Sequence, residues 1–135
     1  MIFLDSSFLV AFEVEGDSNH SKAAASMEDI AGSIHGEPAI SDYVFDETVT
    51  VTLVRTGDLR KATLVGRSML ESFRILRVDE SIFQKAWRRF RNQKGTTFSF
   101  TDSTTIELMQ ENGIKNLATF DKEFSLRGFV IIGLT

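Results

Sequence analysis

Four acidic residues, Asp5, Glu47, Asp102 and Asp121, are spread along the chain, each where an α/β domain can aim it at one point. Asp5 closes the apolar run Ile2-Phe3-Leu4, and Asp121 closes Leu117-Ala118-Thr119-Phe120. Asp102 opens a helical pattern, and Glu47 sits inside another. Carboxylates gathered from distant segments repel: at about 5 Å and an effective dielectric of about 20, each pair costs roughly 3 kcal/mol. A cation between them removes that cost, and an all-oxygen donor set suits a hard divalent ion, Mg²⁺ or Mn²⁺. Each acid also has a plainer local role open to it. Asp5 can cap the helix that follows, Ser99-Phe100-Thr101-Asp102 has capping-box spacing, and Asp121 can serve a turn. A capping carboxylate can still bind metal, because a helix N-terminus favours its ionised form. On the helical wheel Glu47 falls among Tyr43, Val51 and Val54, while Asp46 falls near Leu53. Periodicity does not choose between them.

The elements that must position these acids alternate. Ile2–Leu4 reads as a buried strand, followed by a helix from Ser6 or Ser7 to about Val14. A second helix runs from about Ser18 to Ile34, where Gly36-Glu37-Pro38 stops it. Ala39–Ser41 is a strand, Asp42–Arg55 a helix ended by Gly57, and Asp58 caps another helix to about Phe73. Ile75–Val78 is a strand and Glu80–Gln93 a helix with Ile82, Phe83, Ala86, Trp87 and Phe90 on one face. A loop at Gly95-Thr96-Thr97 leads to a helix over Thr101–Glu111 that ends at Gly113. Leu117–Phe120 and Phe129–Ile132 are the last strands. Such alternation implies a mostly parallel central sheet flanked by helices, in which sites form beyond the carboxyl ends of the strands.

With 135 residues, 42% of them hydrophobic and 12 of them Phe, the chain reads as one domain over residues 1–135 with ample core. It holds no cysteine, which excludes disulfides and zinc–thiolate sites. There is neither a basic leader segment nor an apolar stretch of the ~20 residues that span a bilayer. A soluble, cytoplasmic protein with no membrane association is expected. The net charge of −4 speaks against a dedicated nucleic-acid binder, yet the four acids alone account for as many negative charges.

Four short stretches carry a resemblance: Ile2-Phe3-Leu4-Asp5-Ser6-Ser7, Ser41–Glu47, Phe100-Thr101-Asp102-Ser103 and Ala118-Thr119-Phe120-Asp121-Lys122-Glu123-Phe124. In order and in the elements between them, they resemble the PIN-domain family, especially the VapC-type toxin ribonucleases of prokaryotic toxin–antitoxin pairs. The resemblance spans essentially the whole chain and implies a Rossmann-like three-layer α/β fold. It implies Asp5, Glu47 rather than Asp46, Asp102 and Asp121 as metal ligands of a Mg²⁺- or Mn²⁺-dependent endoribonuclease. Ser6, Thr101 and Thr119 are the implied supporting hydroxyls. Ser6-Ser7 departs from the Thr-Asn that many members carry after the first Asp, and the fourth acid is the one members most readily lack. A homodimer and a cognate antitoxin protein are further implications.

Metal-assisted hydrolysis needs no covalent nucleophile: a metal-activated water attacks in line while the leaving oxygen is steadied. A phosphodiester substrate needs positive charge nearby. The candidates are Arg88, Arg89, Arg91 and Lys94 on one helix, with Arg55, Arg60, Lys61 and Arg67 as a second basic region. His20 and His35, the only histidines, read as exposed residues in or near the second helix rather than as catalysts. No Gly-rich nucleotide-binding loop is present. Two rivals are a non-catalytic RNA- or protein-binding module and a receiver-like signalling domain. The second lacks the acidic pair after the first strand and a suitably placed Lys.

Overall fold

The computed structural model describes residues 1–133. Five strands, β1 (Ile2–Leu4), β2 (Pro38–Ser41), β3 (Arg74–Leu76), β4 (Asn116–Ala118) and β5 (Val130–Ile132), form one sheet in the order β3-β2-β1-β4-β5. Every pairing is parallel, with Ile2, Phe3 and Leu4 set against Asn116, Leu117 and Ala118. All three residues of β1 are fully buried, which is why this strand is an unbroken apolar run without alternation. Helices flank the sheet: α1 (Ser6–Glu13), α2 (His20–Ala31), α3 (Asp42–Thr56), α4 (Leu59–Ser72), α5 (Glu80–Asn92) and α6 (Phe100–Glu111). A short 3₁₀ helix over Lys122–Arg127 joins β4 to β5.

The helix boundaries follow from their caps. Ser41, Asp58 and Asp79 accept from the amides of Val44, Lys61 and Ile82 at 2.9–3.1 Å, satisfying donors that a helix start leaves unpaired. Gly57 closes α3 at φ 64°, where a side chain is rarely tolerated. At Gly36 (φ +92°) an added Cβ would lie 2.7 Å from the Met1 nitrogen, so only glycine lets the chain pass the N-terminus before entering β2.

Three expectations need correction. The helix after Gly16 is shorter than its pattern, running from His20 to Ala31 and closing through turns at 32–36. β4 ends at Ala118, so Asp121 stands three residues beyond it and opens a 3₁₀ helix that periodicity did not disclose. On α5 only Ile82 and Ala86 are buried; Phe83 and Trp87 remain 39% and 45% exposed. These two join Phe90 and Phe100 in an aromatic patch, with Phe83 edge-on to Phe100 at 5.1 Å and Trp87 stacked on Phe90 at 6.0 Å. Among the described residues no helix is long and apolar enough to cross a membrane.

Candidate active site

From β1 the sheet grows through β2 to β3 on one side, and through β4 to β5 on the other. In such sheets the crevice beyond the carboxyl ends, where the strand order reverses, is the natural place for a ligand. Here the reversal lies between β1 and β4, and Asp5 stands at it.

Asp5 is 3% exposed and caps α1, its Oδ1 accepting from the Ser6 amide at 2.9 Å. Its Oδ2 accepts from Thr119 Oγ1 at 2.7 Å and from Ser7 Oγ at 2.9 Å. Both hydroxyls are anchored to the chain beyond β4: Phe120 donates its amide to Ser7 Oγ at 3.1 Å, and Asp121 donates to Thr119 Oγ1 at 3.0 Å. The two central strands are thus stitched together through one carboxylate. Burial pushes the Asp5 carboxyl above its ordinary range, and the charge of Glu47 adds to that. The hydroxyls of Thr119 and Ser7 and the Ser6 amide pull the other way.

Glu47 projects from the middle of α3 and accepts a hydrogen bond from Ser6 Oγ. Asp46 beside it is exposed, so the tertiary contact separates two residues that periodicity left level. Asp102 completes the expected capping box: its amide donates to Ser99 Oγ at 3.0 Å and its Oδ2 accepts from the Ser99 amide at 2.9 Å. Its carboxyl is pushed up to about 7, first by burial, then by the negative charge of Asp5, with a smaller contribution from Asp121. Asp121 is half-buried and caps the 3₁₀ helix, accepting from the Glu123 amide at 3.0 Å. Glu47, Asp5, Asp102 and Asp121 therefore lie within electrostatic reach of one another in sequence.

The donor set is all carboxylate and hydroxyl oxygen, which is the chemistry Mg²⁺ and Mn²⁺ take. Asp5 accepts from protein donors through both oxygens, whereas Glu47, Asp102 and Asp121 each do so through one. Among the described residues, no three or more His, Cys, Asp or Glu side chains are arranged as a ready-made ion cage. The residues fit a divalent ion by chemistry and charge.

Of the expected supporting hydroxyls, Ser6 and Thr119 bond acids directly, whereas Thr101 contributes its carbonyl to Thr104 Oγ1 at 2.6 Å. Ser99 bonds Asp102 as the capping-box spacing implied, and Ser7, read from the sequence only as a helix-start candidate, is a further hydroxyl on Asp5. His20 is half-buried, its Nδ1 2.9 Å from the Ala11 carbonyl, and His35 is half-buried in a turn, so neither is an exposed helix residue. In the second basic region Arg55 pairs with Asp17 at 2.7 Å and Lys61 with Glu13 at 3.6 Å, while Arg60 and Arg67 are exposed and take part in none of the ion pairs among the described residues.

A parallel sheet carrying carboxylates from four segments at its switch point defines a Rossmann-like domain with an acidic centre. The chain belongs to the PIN-domain family: the family's model matches residues 2–130. It is 29% identical over 130 residues to the 23S rRNA-specific endonuclease VapC20 of Mycobacterium tuberculosis, covering 96% of each chain. The crystal structure of that protein, described as a sarcin-ricin loop cleaving toxin, superposes with a TM-score of 0.85 over 96% of this chain and 97% of that one. The fold is shared with VapBC2 from Rickettsia felis, solved with a promoter DNA fragment (TM-score 0.70, 15% identity, 97% of both chains). FitAcB from Neisseria gonorrhoeae shares it too (TM-score 0.65, 17% identity, 98% of this chain and 96% of that one).

Proposed function

We propose that this protein is a divalent-metal-dependent endoribonuclease that hydrolyses RNA phosphodiester bonds as the toxin of a toxin–antitoxin pair. The observation that carries the reading is the concentration of like charge at the switch point. Burial and the charges of Asp5 and Asp121 hold Asp102 protonated up to about pH 7, a tension that a structural role alone would not require. Full-length similarity to a 23S rRNA-specific endonuclease supports RNA as the substrate and makes ribosomal RNA the first to test.

Asp5, Glu47, Asp102 and Asp121 would hold Mg²⁺ or Mn²⁺. A bound ion of this kind supplies a water activated for in-line attack and charge stabilisation for the leaving oxygen. The chain's own part is positioning. Ser7 and Thr119 fix Asp5 from the β4 side, and Ser6 fixes Glu47. Asp102 uses Oδ2 for its helix cap, which leaves Oδ1 as the oxygen that would take a metal or orient water. The protein would act in the cytoplasm. The exposed aromatic patch of Phe83, Trp87, Phe90 and Phe100 supports a homodimer, because a monomer gains nothing by leaving such a surface in water. A cognate antitoxin would silence the enzyme by placing a basic side chain among the carboxylates, replacing metal charge.

The test is cleavage of a mixed RNA pool by purified protein with Mg²⁺, with Mn²⁺ and with EDTA, beside Asp5→Asn. Metal-dependent cutting that disappears in the variant is expected. RNA bound equally by both proteins and cut by neither would overturn the reading in favour of a non-catalytic module.

A further inference from the structure

A groove of about 450 Å³ lies among α5, the 93–98 segment and the end of the 3₁₀ helix. Lys85, Arg88, Arg89, Lys94 and Arg127 line it against a single carboxylate, Glu107, in a chain whose net charge is −4. Arg89 is already committed, its guanidinium bonding Glu107 at 2.9 Å and Gln110 at 3.2 Å and tying α5 to α6. The other four cations take part in none of the ion pairs formed among the described residues. Arg127 lies over the Phe98 ring at 5.2 Å, and its buried Nε has no hydrogen-bond partner. A buried donor without a partner is a cost that an acceptor drawn to this guanidinium would relieve.

The groove is pre-formed. Gln93 holds the wall, donating to the Phe98 carbonyl at 2.9 Å and accepting from its amide at 2.9 Å, while Thr97 donates its amide to Glu123 at 3.0 Å. Every lining residue is polar or charged. Protein-docking surfaces centre on apolar and aromatic anchors, whereas phosphate backbones are held by Lys, Arg and amide side chains. The 3₁₀ helix starts at Asp121 and ends at Arg127, so at ~2 Å per residue it carries the groove's edge on the order of 12 Å from that acid. Arg91 is exposed and lies outside the lining.

We propose that this groove is an RNA-backbone anchoring site, distinct from the acidic cleft, in which Lys85, Arg88, Lys94 and Arg127 engage phosphates away from the bond being cut. The proposal rests on the ribonuclease reading for its ligand, but binding can be measured without cleavage. The experiment is fluorescence anisotropy of an end-labelled ribosomal RNA fragment in EDTA across a salt series, followed by KM for cleavage with Mg²⁺. The proteins are wild type, the triple variant Lys85→Gln/Arg88→Gln/Lys94→Gln, Arg127→Lys, and Lys115→Gln as a control just before β4, at the opposite end of the strands. The triple variant spares Arg89, whose guanidinium ties α5 to α6, and Arg127 is changed on its own.

The triple variant is expected to weaken binding about tenfold or more and to flatten the salt slope by about 0.7 for each phosphate no longer neutralised, with KM rising in parallel. Arg127→Lys weakens binding less, and Lys115→Gln leaves affinity and slope unchanged. Groove-dependent binding by a protein that never cuts would leave this proposal standing and remove the nuclease reading. Metal-dependent cutting, with the triple variant matching wild type in Kd, salt slope and KM, would overturn the groove alone. Unchanged RNA binding, with polyglutamate captured by wild type and not by the triple variant, would assign the groove to an acidic protein segment and also overturn it.

Discussion

The acidic cleft and the basic groove use charge in opposite ways. In the cleft, like charges are buried together and held by a rigid frame of strands, caps and hydroxyls, so that Asp5 and Asp102 both resist ionisation. In the groove, cations are spread along solvent-facing helix turns, and only Arg127 has a buried, unpartnered nitrogen. Repulsion in a low dielectric stores a demand for a counter-ion at one point; scattered surface charge offers weaker, adjustable attraction along a length. The first arrangement suits chemistry and the second suits holding a polymer.

The comparison breaks most visibly at Asp5. Asp5→Asn keeps the size and some hydrogen-bonding capacity of the side chain but removes the charge shared among the acids. Cleavage should fall on the order of 10³-fold in a single-turnover assay, while RNA affinity in EDTA should not weaken. Next in size is Thr119→Val, which takes one hydroxyl from buried Asp5 and leaves the Asp121 amide without its acceptor. Denaturant titration should show a loss of about 1–3 kcal/mol, and cleavage should fall with it.

Asp102→Asn should do the reverse for stability without metal. The Asp102 carboxyl titrates near 7 in the folded protein against 3.8 as its ordinary value. Between those values the folded state keeps a proton that the unfolded state releases, so unfolding free energy falls as pH rises through this window. Asparagine retains an acceptor for the Ser99 amide and removes that slope. After allowing for the part of the carboxylate that water reaches, a gain of about 1–2 kcal/mol at pH 8 is expected by denaturant titration. The smallest contrast is with salt: raising ionic strength should weaken RNA binding through the exposed groove far more than it shifts the buried carboxyls.

Three of the four acids were legible because each also caps a helix, and capping leaves a local signature: Asp5 after an apolar run, Asp102 three residues past Ser99, Asp121 at the end of another run. The parallel sheet was legible for the same kind of reason, since short apolar runs alternate with capped amphipathic segments. Periodicity did not separate Glu47 from Asp46, and only the family resemblance chose Glu47, because what distinguishes them physically is a hydroxyl from α1, 41 positions away. The role of Ser7 was not legible because, besides Asp5, its partners lie 112 and 113 positions off, at Thr119 and Phe120. Periodicity placed Phe83 and Trp87 with the buried residues of α5. Arg88, Arg89 and Lys94 were named from the sequence as phosphate-binding candidates, but Lys85 and Arg127 were not, because the groove they share is assembled from α5, a loop and the 3₁₀ helix.

The most direct test of the account is the thermal stability of wild type from pH 5 to pH 8, with EDTA and with saturating Mn²⁺. Tm in EDTA should fall across this range as the Asp102 carboxyl, pushed up to about 7 by burial and by the neighbouring Asp5, is forced to ionise. With Mn²⁺ the fall should shrink or disappear, and Asp5→Asn should show no such rescue. Identical pH profiles with and without the ion would contradict the claim that these carboxylates are gathered to hold a metal.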